Sequence, residues 1–195
     1  IEHSKKKLGQ LNESRVKILD KIPPNYIDIY GPRFINGFFT WVGKINYKGE
    51  IPFDGFSLIK KMSEYKFTLC INSIDHQYWQ TTSSRVFEAL GSGSMPITNK
   101  NAHVKDIFGN LIEYYDGDSI NDKEQVLNSF EKCLEDPNGT TERLKKCQEL
   151  MNEYTFEKSI NSIHFFHNSQ INNIESDNSK YTIIKENKNL EELID

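Results

Sequence analysis

Leu8, Leu11, Val16, Ile18, Leu19 and Ile22 recur among charged residues at roughly helical spacing, and Pro23-Pro24 ends that run. The period then changes. Tyr26-Ile27-Asp28-Ile29-Tyr30 alternates up to Gly31-Pro32, which predicts a strand feeding a loop. Residues 33–54 are aromatic and irregular, with a second short strand expected near Ile45-Asn46-Tyr47 and closed by Lys48-Gly49. A short helix over Ser57–Tyr65 leads into Lys66-Phe67-Thr68-Leu69-Cys70-Ile71-Asn72, whose apolar, β-favouring residues predict a buried strand. Ser73 to Thr82 reads as a polar and aromatic loop. Ser83 or Ser84 then caps a helix through Val86, Phe87, Ala89 and Leu90, which Gly91-Ser92-Gly93 ends before the strand Met95-Pro96-Ile97-Thr98.

A short helix at Val104–Phe108 and a strand at Leu111–Tyr115 add another α/β step. Beyond it the pattern is helical. Val126, Leu127, Phe130, Cys133 and Leu134 form one stripe, and Leu144, Cys147, Leu150 and Met151 form another after the Pro137-Asn138-Gly139 break. Thr155 caps a third helix carrying Phe156, Ile160 and Ile163. From Asn168 the chain turns to Asn, Ser, Lys and Glu, relieved only by Tyr181-Thr182-Ile183-Ile184. Residues 1–168 are therefore expected to form one domain, and residues 169–195 a polar linker or crossing tail. Strands alternating with helices predict an α/β fold, a Rossmann-like doubly wound parallel sheet with carboxyl-terminal helices. Ligands of such sheets sit at the carboxyl ends of strands, which singles out the loops after Tyr30, Asn72 and Thr98.

The length of 195 residues suits one domain or one domain with a tail. A hydrophobic fraction of 36% and a mean hydropathy of -0.64 are polar for a globular chain, but 12% aromatic residues supply core surface. The formal net charge of -4 argues against a general basic field, so no nucleic-acid partner is expected and phosphate recognition must be local. No apolar run reaches the roughly 18 to 20 residues that cross a bilayer, and Ile1 to Lys7 lack a secretory apolar stretch. Cys70, Cys133 and Cys147 form no CxxC pair and read as buried packing residues. A cytoplasmic setting is expected, with any membrane association made through other domains.

The stretch that carries chemistry is Gln80-Thr81-Thr82-Ser83-Ser84-Arg85-Val86-Phe87-Glu88. It places hydroxyls at a helix start, where backbone N–H groups and the helix dipole favour an anion such as a diphosphate. Arg85 in the first turn adds a forked, permanently charged donor for phosphate oxygens. Glu88, three residues on, lies on the same helix side and can accept from paired sugar hydroxyls. The plain alternative is a surface ion pair, worth under about 1 kcal/mol.

Arg85-Val86-Phe87-Glu88-Ala89-Leu90-Gly91-Ser92-Gly93-Ser94-Met95-Pro96-Ile97 resembles the donor-site signature of GT-B glycosyltransferases of the family 1-like group, nearest the CgeB-like branch. Flanking segments follow in matching order, from Ile29-Tyr30-Gly31 to Tyr154-Thr155-Phe156, so the likeness spans about residues 12–168. The resemblance implies a donor domain for a nucleotide-diphosphate sugar, one half of a GT-B fold. Arg85 would meet the diphosphate, Glu88 the ribose, and Gly93 would occupy the helix-to-strand turn. Retaining relatives often carry another glutamate eight positions before the ribose-binding one; here Gln80 stands there, and the stereochemical outcome stays open.

The donor site expected is thus Ser83, Ser84, Arg85 and Glu88, with Tyr30, Gly31, His76 and Gln80 as further lining. No metal or other cofactor is expected, and the catalytic base is not identified. An acceptor glycan, lipid or protein would be held by an amino-terminal domain outside this chain. Two rivals remain: a fucosyltransferase-like GT-B domain, whose Thr-Glu-Lys motif Ser83-Ser84-Arg85 does not match, and a non-catalytic nucleotide-sugar-binding module. His164 and His167, spaced by three, lack a carboxylate or cysteine partner for zinc. Lys44 and Lys48 read as solvated surface lysines.

Overall fold

In the computed structural model, the described residues are 18–35, 38–39, 45–117, 120–163 and 165. Trp41, Lys44, His164, His167 and the expected tail from 169 lie outside them. The chain divides into two units, Ile1–Asn152 and Glu153–Asp195.

The first unit is built on a three-stranded ladder of β5 (Phe67–Cys70), β6 (Met95–Asn99) and β7 (Glu113–Tyr115), in that spatial order. All three strands run parallel, with Leu69 opposite Ile97 and Ile97 opposite Glu113. Every residue of β6 is buried, as a middle strand covered on both faces must be. The strands β1 (Ile29–Tyr30) and β4 (Tyr47–Gly49) form a separate parallel pair, and β2 (Phe34–Ile35) and β3 (Phe38–Phe39) an antiparallel one. The α/β class with parallel strands flanked by helices agrees with the pattern. The backbone ladder, however, is split rather than continuous.

Side chains join β1 to β5 where the backbone does not. Tyr65, just before β5, donates to Asp28 Oδ2 at 2.8 Å and meets the Tyr30 hydroxyl at 2.8 Å, while Asn46 Nδ2 reaches Asp28 Oδ1 at 2.6 Å. Lys48 adds its charge at 3.6 Å from Asp28. Burial first, then Tyr30 and Asp28, push the Tyr65 hydroxyl well above its ordinary range, so it keeps the proton it donates. Tyr65→Phe is expected to cost about 2 kcal/mol in urea unfolding, because a hydrogen bond to a carboxylate is worth about 1.5 to 3 kcal/mol. Parent-like stability would mean that packing alone joins the two ladders.

The helices are α1 (Ser57–Met62), α2 (Ile74–Tyr78), α3 (Ser84–Gly91), α4 (Ala102–Phe108), α5 (Asp122–Glu135) and α6 (Pro137–Met151). Their buried side chains sort into two clusters. One gathers Val86, Ala89 and Leu90 of α3 with Cys70, Met95, Val104, Phe108 and Cys147. The other gathers Ile18, Leu19, Ile22, Ile29, Ile97, Tyr115 and Val126. Ile18, Leu19 and Ile22 thus occupy the buried stripe that the sequence pattern predicts.

Several boundaries shift for local reasons. The Pro137-Asn138-Gly139 break is the first turn of α6, with Asp136 accepting from the Gly139 amide at 2.9 Å and Pro137 occupying a position that needs no N–H. Helix α4 begins at Ala102 because Asn101 accepts from the Val104 amide at 3.2 Å. Helix α2, inside the expected loop, starts where Ser73 accepts from the His76 amide. Lys48 and Gly49 belong to β4 rather than closing it. All three cysteines are free and buried, in line with a packing role. In the second unit, Thr155 Oγ1 accepts from the Lys158 amide at 3.3 Å at the start of a helix over 156–163.

Candidate functional site

The start of α3 is fixed by what precedes it. Ser83 is extended, its hydroxyl accepts from the Arg85 amide at 3.2 Å, and its own amide donates to Asn72 Oδ1 at 3.1 Å. Of the two serines, Ser83 is therefore the cap. Asn72 follows β5 and is 3% exposed; its Nδ2 reaches Thr98 Oγ1 of β6 at 3.1 Å, and its amide donates to Asn99 Oδ1 at 2.9 Å. One buried asparagine thereby ties the helix start to two strand ends.

Helix α3 buries Val86, Ala89 and Leu90 and turns Ser84, Arg85 and Glu88 outward, as their i, i+3 and i+4 spacing requires. Ser84 Oγ donates to Glu88 Oε1 at 3.1 Å, and Arg85 Nη1 lies 3.0 Å from Glu88 Oε2. That second oxygen is shielded from solvent yet receives no hydrogen bond of good geometry, so the Arg85 contact is chiefly coulombic. The side chains of Arg85 and Glu88 are 42% and 28% exposed, which puts the pair in the range of about 0 to 1 kcal/mol. A ligand phosphate can recruit Arg85 at little cost. Beneath the helix, burial pushes the Cys70 thiol up to about 12, with Arg85 opposing and Glu88 adding, so this cysteine is no nucleophile.

The segment from Ser73 to Thr82 forms a pinned wall beside this helix. His76 Nδ1 meets Ser73 Oγ at 2.7 Å, and the His76 carbonyl accepts from the Thr81 amide at 3.0 Å. Asn101 Nδ2 donates to the carbonyls of Thr81 at 2.8 Å and His76 at 3.3 Å. Gln80 has a left-handed backbone with φ 49°, and its side chain accepts from the Ala102 amide at 2.9 Å and donates to the Gln77 carbonyl at 2.5 Å. Both polar ends of the Gln80 amide are thus engaged in holding loops together.

Tyr30 and Gly31 stand at the end of β1, on the other ladder. Their partners are Tyr65 for the Tyr30 hydroxyl, Gly49 for the Gly31 amide at 3.0 Å and Tyr47 for the Gly31 carbonyl at 3.0 Å. Among the described residues, no hydrogen bond or ion pair links them to Ser83, Ser84, Arg85 or Glu88. Within the helix start, hydrogen bonds and an ion pair link Ser83 to Arg85 and Ser84 and Arg85 to Glu88.

Sequence reasoning passed over Asn72, Asn99, Asn101 and Gly117. Gly117, after β7, has φ 102°, and a Cβ there would lie 3.1 Å from Asn99 Cβ and from Gln77 Nε2. The ends of β5, β6 and β7 close on one another at that point. The available signal was asparagine directly after or within a buried strand, a polar residue that a core tolerates only when its amide is fully used. Among the described residues, no three His, Cys, Asp or Glu side chains group as metal ligands, and no helix is long and apolar enough to cross a membrane.

Residues 14–164 match the glycosyl transferase-like family. Neither a curated protein sequence nor a solved structure matches the chain. The matched span holds all three sheets, α1 to α6 and the whole of the Ser83–Glu88 constellation. The family implies transfer of a sugar from a donor to an acceptor, and its Rossmann-like half-domain is the architecture seen here. This chain belongs to the glycosyl transferase-like family.

Proposed function

We propose that this domain binds a nucleotide-diphosphate sugar at the start of α3, as the donor half of a GT-B enzyme of the CgeB-like branch. The observation that carries the reading is the linked set Ser84–Glu88–Arg85 on the outward side of α3, the helix that leads into β6. In it Arg85 meets the diphosphate, Glu88 accepts from the ribose hydroxyls, and Ser83 and Ser84 shape the anion-facing turn. His76 and Gln80 hold the adjoining wall in position. Donor charge is met by Arg85, amides and hydroxyls, so binding requires no metal. The acceptor, a glycan, lipid or protein, is presented by a second domain.

Calorimetry with UDP, GDP and dTDP in EDTA tests this directly. Arg85→Ala is expected to weaken the preferred nucleotide about 10- to 150-fold, the loss of one charge-assisted hydrogen bond of about 1.5 to 3 kcal/mol. Glu88→Ala should abolish the preference for the nucleotide over its 2′,3′-dideoxy analogue, whereas Arg85→Ala should keep it. Parent-like binding by both variants would leave Arg85 and Glu88 as a surface ion pair and move the site elsewhere. Binding that vanishes in EDTA and returns with magnesium or manganese would reject the metal-free reading. Nucleotide binding without transfer, once the second domain is supplied, would identify a non-catalytic module.

A further inference from the structure

A cavity of about 310 Å³ lies where the backbone ladder is broken between β1 and β5. Ile22 and Ile27 line it from the segment before β1, Phe67 and Leu69 from β5, and Val126 and Phe130 from α5. Phe67 and Leu69 share a face because alternate residues of a strand point the same way, and on a fully covered strand both would be buried. They are only partly buried, since this space lies in front of them. Its size falls within the range of about 300 to 1,000 Å³ of small-molecule pockets. An apolar space left empty costs stability in proportion to its volume, and such walls offer water no partners.

The mouth is marked by the exposed members of the lining, Tyr26, Glu64, Lys66 and Leu134. Glu64 and Lys66 immediately precede β5. Leu134 lies near the end of α5, where Lys132 meets Glu113 at the start of β7 at 3.0 Å, so the helix runs antiparallel to that strand. The cavity therefore opens at the amino ends of the strands, whereas Asn72 and Ser83 stand at the carboxyl ends. Its occupant is independent of the donor reading.

Charge at the mouth is uneven. The Glu64 carboxylate is held by Lys61 at 2.6 Å, while Lys66 makes no ion pair among the described residues. The Tyr65 hydroxyl is turned to Asp28 and Tyr30, which leaves its ring as wall. A ligand with an apolar body and one anionic end complements these surfaces. We infer that the cavity binds a free fatty-acid carboxylate, its chain against Phe67, Leu69 and Phe130 and its carboxylate at Lys66.

Calorimetry of the full chain with decanoate below its micelle threshold tests this, with butyrate and decanol as comparisons. Decanoate should bind and raise the melting temperature, because a ligand of the folded state stabilises it. Butyrate, which carries the head without the chain, should bind at least about a hundredfold more weakly. Lys66→Gln should weaken decanoate about threefold and leave decanol at the parent value. Leu127→Phe sets a larger side chain in the lining, and should keep or raise the melting temperature while reducing decanoate affinity at least about tenfold. In the parent, intermolecular NOEs from the chain protons should reach the rings of Phe67 and Phe130, a readout that stands even if Leu127→Phe does not fold. A parent that binds no decanoate, a folded Leu127→Phe that binds it as the parent does, or NOEs confined to other residues would overturn the inference. Decanoate affinity unchanged in Lys66→Gln would overturn the carboxylate end of it.

Discussion

Arg143→Ala should lower the stability of the domain by about 3 kcal/mol at pH 7, the low end of what breaking a buried ion pair costs. Glu113 of β7 points inward and its side chain is 8% exposed; Arg143 Nη1 reaches its Oε1 at 2.6 Å and Lys132 Nζ at 3.0 Å. Arg143 also donates to Cys133 Sγ at 3.2 Å, so its removal strands a carboxylate in the space between β7, α5 and α6. Lys132, 66% exposed, remains as a weaker partner, which is why the larger end of the range is not expected. Burial by itself would raise the Glu113 carboxyl, but the hydrogen bonds and charges of Lys132 and Arg143 outweigh it and hold the group below its ordinary 4.5.

That direction fixes a pH dependence. A carboxyl lower in the folded than in the unfolded state contributes stability that is fully present above about pH 4.5. The contribution is lost as pH falls through the lower folded value. Without Arg143 the burial effect weighs more heavily against the remaining Lys132, so the deficit of the variant should be largest at pH 7 and smaller at pH 4, as its Glu113 begins to take up a proton. Urea melts at both pH values measure it. A deficit independent of pH would assign the loss to packing of the Arg143 stem instead of to charge. Replacing both partners, Glu113→Leu with Arg143→Met, should recover most of the stability, since an apolar pair of similar volume carries no stranded charge.

Asn72→Ala should cost about 2 to 3 kcal/mol and, separately, weaken nucleotide binding. Its side chain is the acceptor for the Ser83 amide and the donor to Thr98, and both groups lose their partner when it is cut back. An unsatisfied buried donor costs about 1 to 3 kcal/mol, and the cap of α3 loosens with it. Thr98→Val provides the control, for it breaks only the Thr98 bond and leaves the Ser83 amide held. Thr98→Val should lose about 1 to 2 kcal/mol of stability with nucleotide affinity at the parent value. Equal loss of affinity in both variants would show that the affinity follows stability and that Asn72 does not position the helix start.

What the sequence by itself determined is local. Ser84, Arg85 and Glu88 share a helix side because three and four residues close a turn, and their polarity against Val86, Ala89 and Leu90 is legible in the order of the letters. The strands around Leu69 and Ile97 follow from short apolar, β-favouring runs, and the stripe through Val126 and Cys133 from its helical period. Helix α2 was hidden because a single turn, Ile74–Tyr78, is too short to show a period, and its signal is only the Ser73 cap. Helix α4 gained its first turn from Asn101, another short-range cap overlooked for an apolar start at Val104. Tertiary structure alone decided the rest. It split the expected single sheet and joined β1 to β5 through Asp28, Tyr30 and Tyr65, residues more than 30 positions apart at the ends of that chain. It brought Arg143 to Glu113, and set Gly117 against Asn99 and Gln77. These contacts depend on how strands and helices stack, and no local pattern encodes which distant partner a buried amide or carboxylate will meet.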